Sequence, residues 1–149
     1  MKSLSLYNKI RFKFAKLRHF HENASYVFGA HHDKCRISFW STDFCLFEDI
    51  TIIPGKVFVG HFSVNDQFRG SLIGEQCLKK FAAHIAQLDP TINTIEFSLY
   101  KLPTNFPQKK IAQARFSLLN RIGASATSIS TLPQGKFQVC GSWDKSKWK

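Results

Sequence analysis

Residues 57–78 read VFVGHFSVNDQFRGSLIGEQCL and contain the most informative pattern in the chain. The β-branched and aromatic residues of the first part predict a strand from Val57 to Val64. A polar loop with Arg69 and Gly70 follows, and helical spacing of apolar residues begins just after it. Free backbone N–H groups at the positive end of a helix bind phosphate; Gly70 permits close backbone approach and Arg69 adds a fixed charge. This unit therefore predicts a phosphate-binding loop.

The segments on either side of this unit predict a layered domain. Upstream, short β-rich runs separated by turn signals are typical of antiparallel hairpins, and downstream, helical and β-rich segments alternate. The predicted elements are strands at 26–28, 35–40, 44–53 and 57–64, a helix at 71–88, a strand at 91–100, a helix at about 108–122 and a hairpin at 125–143. This order predicts an α/β (α+β) fold with a mixed, mostly antiparallel central sheet flanked by helices.

The length of 149 residues indicates a single domain over residues 1–149, because a chain of this size builds one hydrophobic core. Residues 1–22 predict a basic amphipathic helix. The positions on one face of that helix are Leu6, Ile10, Phe14, Leu17 and His21. Residues 144–149 are rich in lysine, and we expect them to form a frayed basic tail.

The net charge of +11 is concentrated towards the two ends of the chain. Residues 101–149 alone contain nine lysines and arginines and one acidic residue. This balance indicates a polyanionic partner: nucleic acid bound through the basic termini, an anionic membrane surface or a phosphorylated cofactor. No apolar run approaches the roughly 20 residues that cross a bilayer, so we predict no transmembrane segment and expect a cytoplasmic protein.

The four cysteines are widely spaced and include no Cys-x-x-Cys pair, which disfavours a secreted disulfide scaffold. An even number leaves individual bridges open, and core thiols are the simpler interpretation. The cysteines are Cys35, Cys45, Cys77 and Cys140. A zinc site would have to combine His31 and His32 with the first two of them, and no pair in that set has the usual zinc-finger spacing, so we predict no metal site.

Residues 64–74, VNDQFRGSLIG, resemble the coenzyme A loop of the GNAT superfamily of acyl-coenzyme A dependent N-acyltransferases. That loop has a valine, a few polar residues and an aromatic residue, followed by Arg-Gly-x-Gly-Ile-Gly. The order of predicted elements over residues 40–143 is also similar to that of the family. Residues 114–124 resemble the family's later helix and its glycine end. The resemblance implies a GNAT-like fold for this chain.

The resemblance also implies an activity and a cofactor site. The activity is transfer of an acyl group from acetyl-CoA or another acyl-CoA to an amine acceptor by direct attack. The loop would bind the pyrophosphate, and the strand before it would pair with the pantetheine arm. The residues implied to bind the cofactor are Phe62, Ser63, Val64, Arg69, Gly70, Ser71, Leu72, Ile73 and Gly74.

Two positions depart from the family's pattern. Leu72 stands where the central glycine of the loop is expected. Leu119 stands four residues before Gly123, where many members carry the tyrosine that protonates the departing thiolate. The resemblance therefore implies a cofactor loop that carries a leucine side chain where the family has glycine, and a later helix that lacks the family's usual general acid.

Three residues are candidates for the proton transfers of catalysis. Histidine accepts a proton near neutral pH, and His61 lies on the strand that leads into the loop, although its place in the alternation fits a half-buried sheet residue equally well. Tyr100, at the end of the following strand, is the candidate substitute for the missing acid. Glu96, mid-strand among apolar neighbours, is the other titratable candidate, and an outward-facing solvated side chain is its alternative interpretation.

Other classes of function stay open. A GNAT-like fold that has lost catalysis and binds nucleic acid or a protein partner would fit Leu72, Leu119 and the basic ends. An acyltransferase that acts on a nucleic acid would join both hypotheses. The sequence contains no Walker loop, Gly-x-Ser-x-Gly elbow or His-Glu-x-x-His motif, which removes the best evidence for a nucleoside triphosphatase or a hydrolase.

Overall fold

The computed structural model describes residues 25–28, 33–39, 42–65, 73–100 and 107–149. Within these segments the chain forms strands, two α-helices and short 3-10 turns after β6 and β7. The elements are β1 (Ser25–Phe28), β2 (Lys34–Phe39), β3 (Thr42–Ile53), β4 (Lys56–Val64), α1 (Ile73–Leu88), β5 (Thr94–Leu99), α2 (Gln108–Arg121), β6 (Ser125–Leu132) and β7 (Lys136–Asp144).

The strands form one seven-stranded sheet in the order β1-β2-β3-β4-β5-β7-β6. Neighbouring strands run antiparallel except for β4 and β5, which are parallel. A parallel pair needs a crossover connection, and α1 provides it here. The prediction of a mixed, mostly antiparallel sheet flanked by helices is therefore confirmed.

The apolar face of α1 packs against the sheet and forms the centre of the core. Phe81 of α1 stacks on Phe47 of β3 with ring centroids 4.2 Å apart. Burial of each such large apolar side chain contributes on the order of 2–3 kcal/mol to folding. The buried positions of α1 follow helical spacing and are Ile73, Gly74, Cys77, Leu78, Phe81, Ala82 and Ile85.

Two of the four cysteines are bonded to each other. Cys45 of β3 and Cys77 of α1 form a disulfide although they are 32 residues apart in the sequence. The expectation of core thiols is wrong for this pair, because packing of α1 on β3 brings their Cα atoms to 6.4 Å, within reach of a bridge. Cys35 is a buried free thiol, and Cys140 is free and half-buried.

The strand predicted from Thr91 to Tyr100 is shorter in the structure, where β5 begins at Thr94. A turn held by the Asp89 side chain precedes the strand instead. The Asp89 carboxylate accepts hydrogen bonds from the backbone N–H of Thr91 at 3.0 Å and from its hydroxyl at 2.6 Å. These bonds hold the pKa of Asp89 below its ordinary value. Local side-chain bonds of this kind compete with strand pairing and delay the beginning of β5.

The end of the chain packs on the domain, which corrects the expectation of a frayed tail at 144–149. Residues Lys145–Lys147 form a 3-10 turn, and the Asp144 carboxylate accepts a hydrogen bond from the Ser146 N–H. Trp148 is buried, and its indole N–H donates to the Trp143 carbonyl at 3.1 Å. The apolar area of the indole outweighs the polar character of the lysines around it.

Several predictions concern segments outside the described residues. The basic helix at 1–22, the two histidines of the zinc alternative and most of the cofactor loop, residues 66–72, belong to these segments. Among the helices that the structure describes, none combines the length and the apolar character needed to cross a bilayer.

Candidate active site

β4 and β5 pair over only the first part of their lengths. The parallel pairing runs from Lys56 opposite Thr94 to Val59 opposite Phe97. Beyond this point β4 continues along β3 and β5 continues along β7. The two strands therefore leave a gap in the middle of the sheet, bordered by residues 60–64 of β4 and 98–100 at the end of β5. We call it the β4–β5 gap.

The backbone of β4 presents hydrogen-bonding groups to this gap. The N–H of Asn65 donates to the carbonyl of Phe44 on β3 at 2.8 Å, which marks these two residues as a hydrogen-bonded pair. In an antiparallel ladder such pairs alternate with non-hydrogen-bonded pairs, and the register is continuous from here to His61. The N–H and C=O groups of Phe62 and Val64 therefore point away from β3 and towards the gap.

A buried arginine reaches one of these groups. Arg115 of α2 is 7% exposed, and its Nη2 donates to the Phe62 carbonyl oxygen at 2.6 Å. Among the residues that the structure describes, Arg115 is the one charged residue that is buried. In the sequence, Arg115 shares helical spacing with the apolar residues Ile111, Leu118 and Ile122, which is a signal, but no pattern connects it with a strand 53 residues away.

The beginning of α1 lies beside the same part of β4. A Cβ atom at Gly74 would be 3.4 Å from Val64 Cγ2 and 3.5 Å from Leu118 Cδ2, in ordinary contact. Phe62 also packs towards this helix through Phe47, with ring centroids 4.9 Å apart. The first turn of α1, the end of β4 and α2 therefore meet at one edge of the β4–β5 gap.

Asp49, Gly60 and Tyr100 meet at the point where β4 leaves β5. A Cβ atom on Gly60 would lie only 2.9 Å from Asp49 Cβ and 3.2 Å from Tyr100 Cε1, so this approach requires glycine. Asp49 has a positive φ of 55°, and its carboxylate accepts a hydrogen bond from the Tyr100 hydroxyl at 2.7 Å. Asp49 and Tyr100 thus form an exposed carboxylate–phenol pair at the end of the gap where β4 and β5 separate. We call this end the apex of the gap.

Comparison of the sequence with family profiles and with proteins of curated function finds no match. The structure, in contrast, matches solved acetyltransferases. The ribosomal-protein-S18-alanine N-acetyltransferase from Escherichia coli aligns with a TM-score of 0.52 at 8% identity, covering 96% of this chain and 91% of that chain. A GNAT-family acetyltransferase from Bacillus cereus aligns with a TM-score of 0.52 at 13% identity, covering 77% and 72%. The fold is that of the GNAT acetyltransferases.

A third GNAT-like neighbour is the spermidine/spermine N-acetyltransferase SpeG from Vibrio cholerae, in mutant forms. It aligns with a TM-score of 0.53 at 9% identity, covering 93% of this chain and 78% of that chain. The described part of this chain supplies the GNAT order of elements from β2 to β7, including the helix after β4 and the closing strand pair.

The three residues predicted for catalysis lie at different distances from the apex of the gap. Tyr100 is at the apex, 42% exposed and bonded to Asp49. His61 follows Gly60 directly, is half-buried and pairs across the ladder with Glu48. Glu96 lies where β4 and β5 are still paired, and its carboxylate accepts a hydrogen bond from the Ser142 hydroxyl at 2.8 Å. The geometry thus places Tyr100 at the apex, His61 next to it in the sequence, and Glu96 apart.

The residues predicted to bind the cofactor fall into a described and an undescribed group. Phe62, Ser63 and Val64 border the gap, and Ile73 and Gly74 form the buried beginning of α1. The other predicted cofactor residues, Arg69, Gly70, Ser71 and Leu72, lie outside the described residues.

Leu119, at the position where the resemblance places the family's tyrosine, packs over β7. Its Cδ1 would be 3.0 Å from a Cβ atom on Gly141. Arg115 lies one helical turn earlier and reaches β4 instead. The side chain that α2 directs to the gap is therefore an arginine.

No metal centre is evident in the segments that the structure describes. Within them, no group of three or more His, Cys, Asp or Glu side chains is close enough to hold a metal ion. Cys45, a member of the alternative zinc set, is bonded to Cys77.

Proposed function

We propose that the protein is an acyl-CoA dependent N-acyltransferase that moves an acetyl or other acyl group to an amine acceptor. The observation that carries this proposal is the β4–β5 gap, where the N–H groups of Phe62 and Val64 and the C=O group of Val64 face an extended ligand, while the Phe62 carbonyl accepts a hydrogen bond from Arg115. An unpaired strand edge binds an extended chain through main-chain hydrogen bonds. The pantetheine arm, with two amide groups, has that shape and chemistry.

The phosphate end of acyl-CoA would be held at the beginning of α1. Ile73 and Gly74 place the first turn of this helix beside the end of β4, so an arm lying in the gap leads to the helix N-terminus. The preceding loop supplies Arg69, Gly70, Ser71 and Leu72. The positive end of the helix and the Arg69 charge would bind the pyrophosphate there.

The acyl transfer itself would use positioning and polarisation. A backbone N–H group of β4 that the pantetheine arm does not use would donate to the thioester carbonyl and stabilise the negative charge that develops on its oxygen. Holding the amine against the thioester carbon removes much of the entropic barrier. His61 would take the proton that the attacking ammonium group releases, directly or through water, and Tyr100 would contact the reacting groups from the apex.

The acceptor would approach at the apex, where Asp49 and Tyr100 are exposed. A carboxylate attracts the ammonium form of an amine, which supports an amine as the acceptor class. The structural neighbours include proteins named for alanine and for spermidine or spermine acetylation, and these acceptors differ in size and charge. We therefore propose an amine acceptor. If that amine is attached to an acidic molecule such as nucleic acid, the basic ends of the chain would bind the acidic part.

The first experiment is thermal unfolding of the full chain with and without acetyl-CoA at millimolar concentration. A ligand that binds only the native state raises the melting temperature. At a ligand concentration one hundred times Kd, it increases the free energy of unfolding by about 2.7 kcal/mol. We expect such a rise in the parent, a smaller one in Arg69→Ala, and a parent-like rise in the control Arg36→Ala. Arg36 is an exposed arginine on β2 with a distant ion pair to Asp43.

A shift that appears in the parent and is reduced only in Arg69→Ala would support the cofactor site and justify a screen of amine acceptors. If acetyl-CoA and a longer acyl-CoA both leave the melting temperature of the parent unchanged, the enzyme proposal is wrong. Binding of RNA or DNA by the same sample, weakening steeply with salt, would then favour the nucleic-acid alternative.

A further inference from the structure

We propose that the Cys45–Cys77 disulfide is a redox switch that sets the affinity of the protein for acyl-CoA, an inference that rests on the proposed function. The bond joins β3, which pairs with the end of β4, to α1, whose beginning lies beside it. With the bond intact, the first turn of α1 is held at the gap. With the bond reduced, that turn shifts away, so the oxidised protein is the form that binds acyl-CoA tightly.

On the strand side, the bond is anchored one strand away from the gap. Cys45 lies opposite Val64 in the β3–β4 ladder, and the next pair, Phe44 and Asn65, is joined by the 2.8 Å hydrogen bond. Hydrogen-bonded and non-hydrogen-bonded pairs alternate, so Cys45 and Val64 form a non-hydrogen-bonded pair, in which side chains approach most closely. A movement of Cys45 therefore acts on Val64, whose backbone groups face the gap.

On the helix side, Cys77 lies three residues after Gly74, so both face the sheet, and both are buried. Gly74 lies so near Val64 that a Cβ atom on the glycine would be 3.4 Å from Val64 Cγ2. Val64 is therefore next to the helix start and opposite the cysteine that is bonded to that helix. The disulfide thus links the strand edge proposed for the pantetheine arm to the helix turn proposed for the pyrophosphate.

Reduction should move these two elements locally. Cys45 is 2% exposed and Cys77 is 0% exposed, and two separate thiols need more room than a bonded pair of sulfur atoms. Because protein interiors are close-packed, that room has to come from a shift of α1 relative to β3. The stacked rings of Phe47 and Phe81, one turn further along α1, still hold the rest of the helix. We therefore expect the first turn to shift while the fold stays intact.

The reductant that the switch requires is a dithiol. One of its thiolates attacks a sulfur atom of the bridge, forms a mixed disulfide and releases the other cysteine as a thiolate, which takes up a proton. The second thiol of the reductant then displaces the remaining cysteine and closes the reductant's own disulfide. Two electrons and two protons thus pass from the dithiol to the two cysteines, and an oxidised dithiol reverses the reaction. Since both cysteines are buried, the attack proceeds through local opening of the first turn of α1.

The test compares ligand binding by the oxidised and the reduced full chain. The ligand is desulfo-coenzyme A, which keeps the pantetheine arm and the pyrophosphate but has no sulfur to exchange with the protein. The reduced chain is prepared with dithiothreitol, and the number of thiols alkylated in denaturant verifies each state. Isothermal titration calorimetry should give a Kd about tenfold higher for the reduced chain, a factor within the usual range of coupling between two sites.

A second measurement uses the reciprocity of binding and reduction. If reduction weakens binding by about tenfold, saturating desulfo-coenzyme A has to favour the disulfide by the same factor. For a two-electron couple, that factor lowers the midpoint of a dithiothreitol redox titration by about 30 mV. Both measurements use the parent chain and need no variant.

Two variants separate the bridge from the other thiols. The double variant Cys45→Ala/Cys77→Ala should bind desulfo-coenzyme A like the reduced parent under both conditions. The matched control is Cys35→Ala, because Cys35 is also buried but is a free thiol, and it should keep the full difference between the oxidised and the reduced Kd. The fluorescence of the buried Trp143 should remain native in the reduced parent, as an intact fold requires.

The outcomes separate this inference from the proposed function. Equal Kd values in the two states of the parent, or a lower Kd for the reduced chain, overturn the inference and leave the cofactor site standing. Loss of native fluorescence on reduction also overturns it, because the bond then serves folding rather than the site. A redox effect that disappears in Cys35→Ala does the same. Failure of both states to bind desulfo-coenzyme A or acetyl-CoA overturns both proposals.

Discussion

Replacement of Gly60 by alanine should destabilise the protein through a single contact that can be removed again. The new Cβ would lie 2.9 Å from Asp49 Cβ, where ordinary carbon contacts are about 3.5–4.0 Å, so a strand must move by more than half an ångström. Overpacking of this size costs about 1–3 kcal/mol. For a domain of this length each kcal/mol corresponds to about 2–4 °C, which predicts a fall of about 2–12 °C.

The contact is tested by a double-mutant cycle with Asp49→Gly. By itself this change removes the hydrogen bond from Tyr100, worth about 0.5–1.5 kcal/mol, and relieves a non-glycine residue at positive φ, worth about 1 kcal/mol. These two effects oppose each other, and the single variant measures their balance. In its background Gly60→Ala meets the carbonyl oxygen of residue 49 at an ordinary 3.5 Å and the Tyr100 ring at 3.2 Å, and Tyr100 is 42% exposed and can move aside.

The assay is urea unfolding of the parent, both single variants and the double variant, with Gly74→Ala as the control. A Cβ at Gly74 makes only ordinary contacts of 3.4 Å and longer, and alanine favours a helix, so the control should not lose stability. A coupling energy of about 1–2 kcal/mol is expected between positions 49 and 60. If Gly60→Ala costs as much with Asp49→Gly as without it, the reasoning about the apex is refuted.

Four further predictions concern stability and cysteine chemistry. Reduction of the Cys45–Cys77 bond, which spans 32 residues, should lower the free energy of unfolding by about 3–4 kcal/mol in urea titrations, and the double alanine variant should not respond to reductant. Burial raises the pKa of the Cys35 thiol to about 12, so iodoacetamide at pH 8 should modify it only after unfolding. Because the pKa is higher in the folded state, the contribution of Cys35 to stability is complete below pH 9.0 and is lost as pH rises towards 12; Cys35→Ala should flatten that alkaline decline. Trp148→Ala should cost about 3 kcal/mol in the same titrations, whereas a frayed tail would make it neutral.

The sequence predicts those parts of the fold that local patterns encode. The alternation before Val64, the helical spacing after the loop and the turn at residues 133–135 each depend on neighbours within a few positions, and the structure has an element at each place. The later start of β5 at Thr94 is a local effect as well, but it depends on the Asp89 side chain rather than on apolar spacing. Element boundaries therefore shift where side chains bond to the backbone.

The parts that the sequence does not predict depend on contacts between distant segments. The bond between Cys45 and Cys77 exists because α1 packs on β3, and no spacing rule contains that distance. Arg115 is the corresponding case at the site. On a helical wheel it is one polar residue on an apolar face, and its hydrogen bond to the Phe62 carbonyl depends on the packing of α2 over β4. The sequence could show that it was unusual but not what it contacts.

The geometry of the apex also explains why the gap begins where it does. Pairing between β4 and β5 ends at Val59 and Phe97, immediately before Gly60, and Tyr100 from the end of β5 lies across that glycine. A side chain at position 60 would push the tyrosine and β3 away, whereas glycine lets them close over the strand at the place where β5 departs. Arg115 borders the gap from α2, while Tyr100 follows buried Leu99 and by alternation faces away from that helix. Arg115 and Tyr100 therefore lie on opposite faces of the gap, so an amine received at Tyr100 would approach from the face opposite α2.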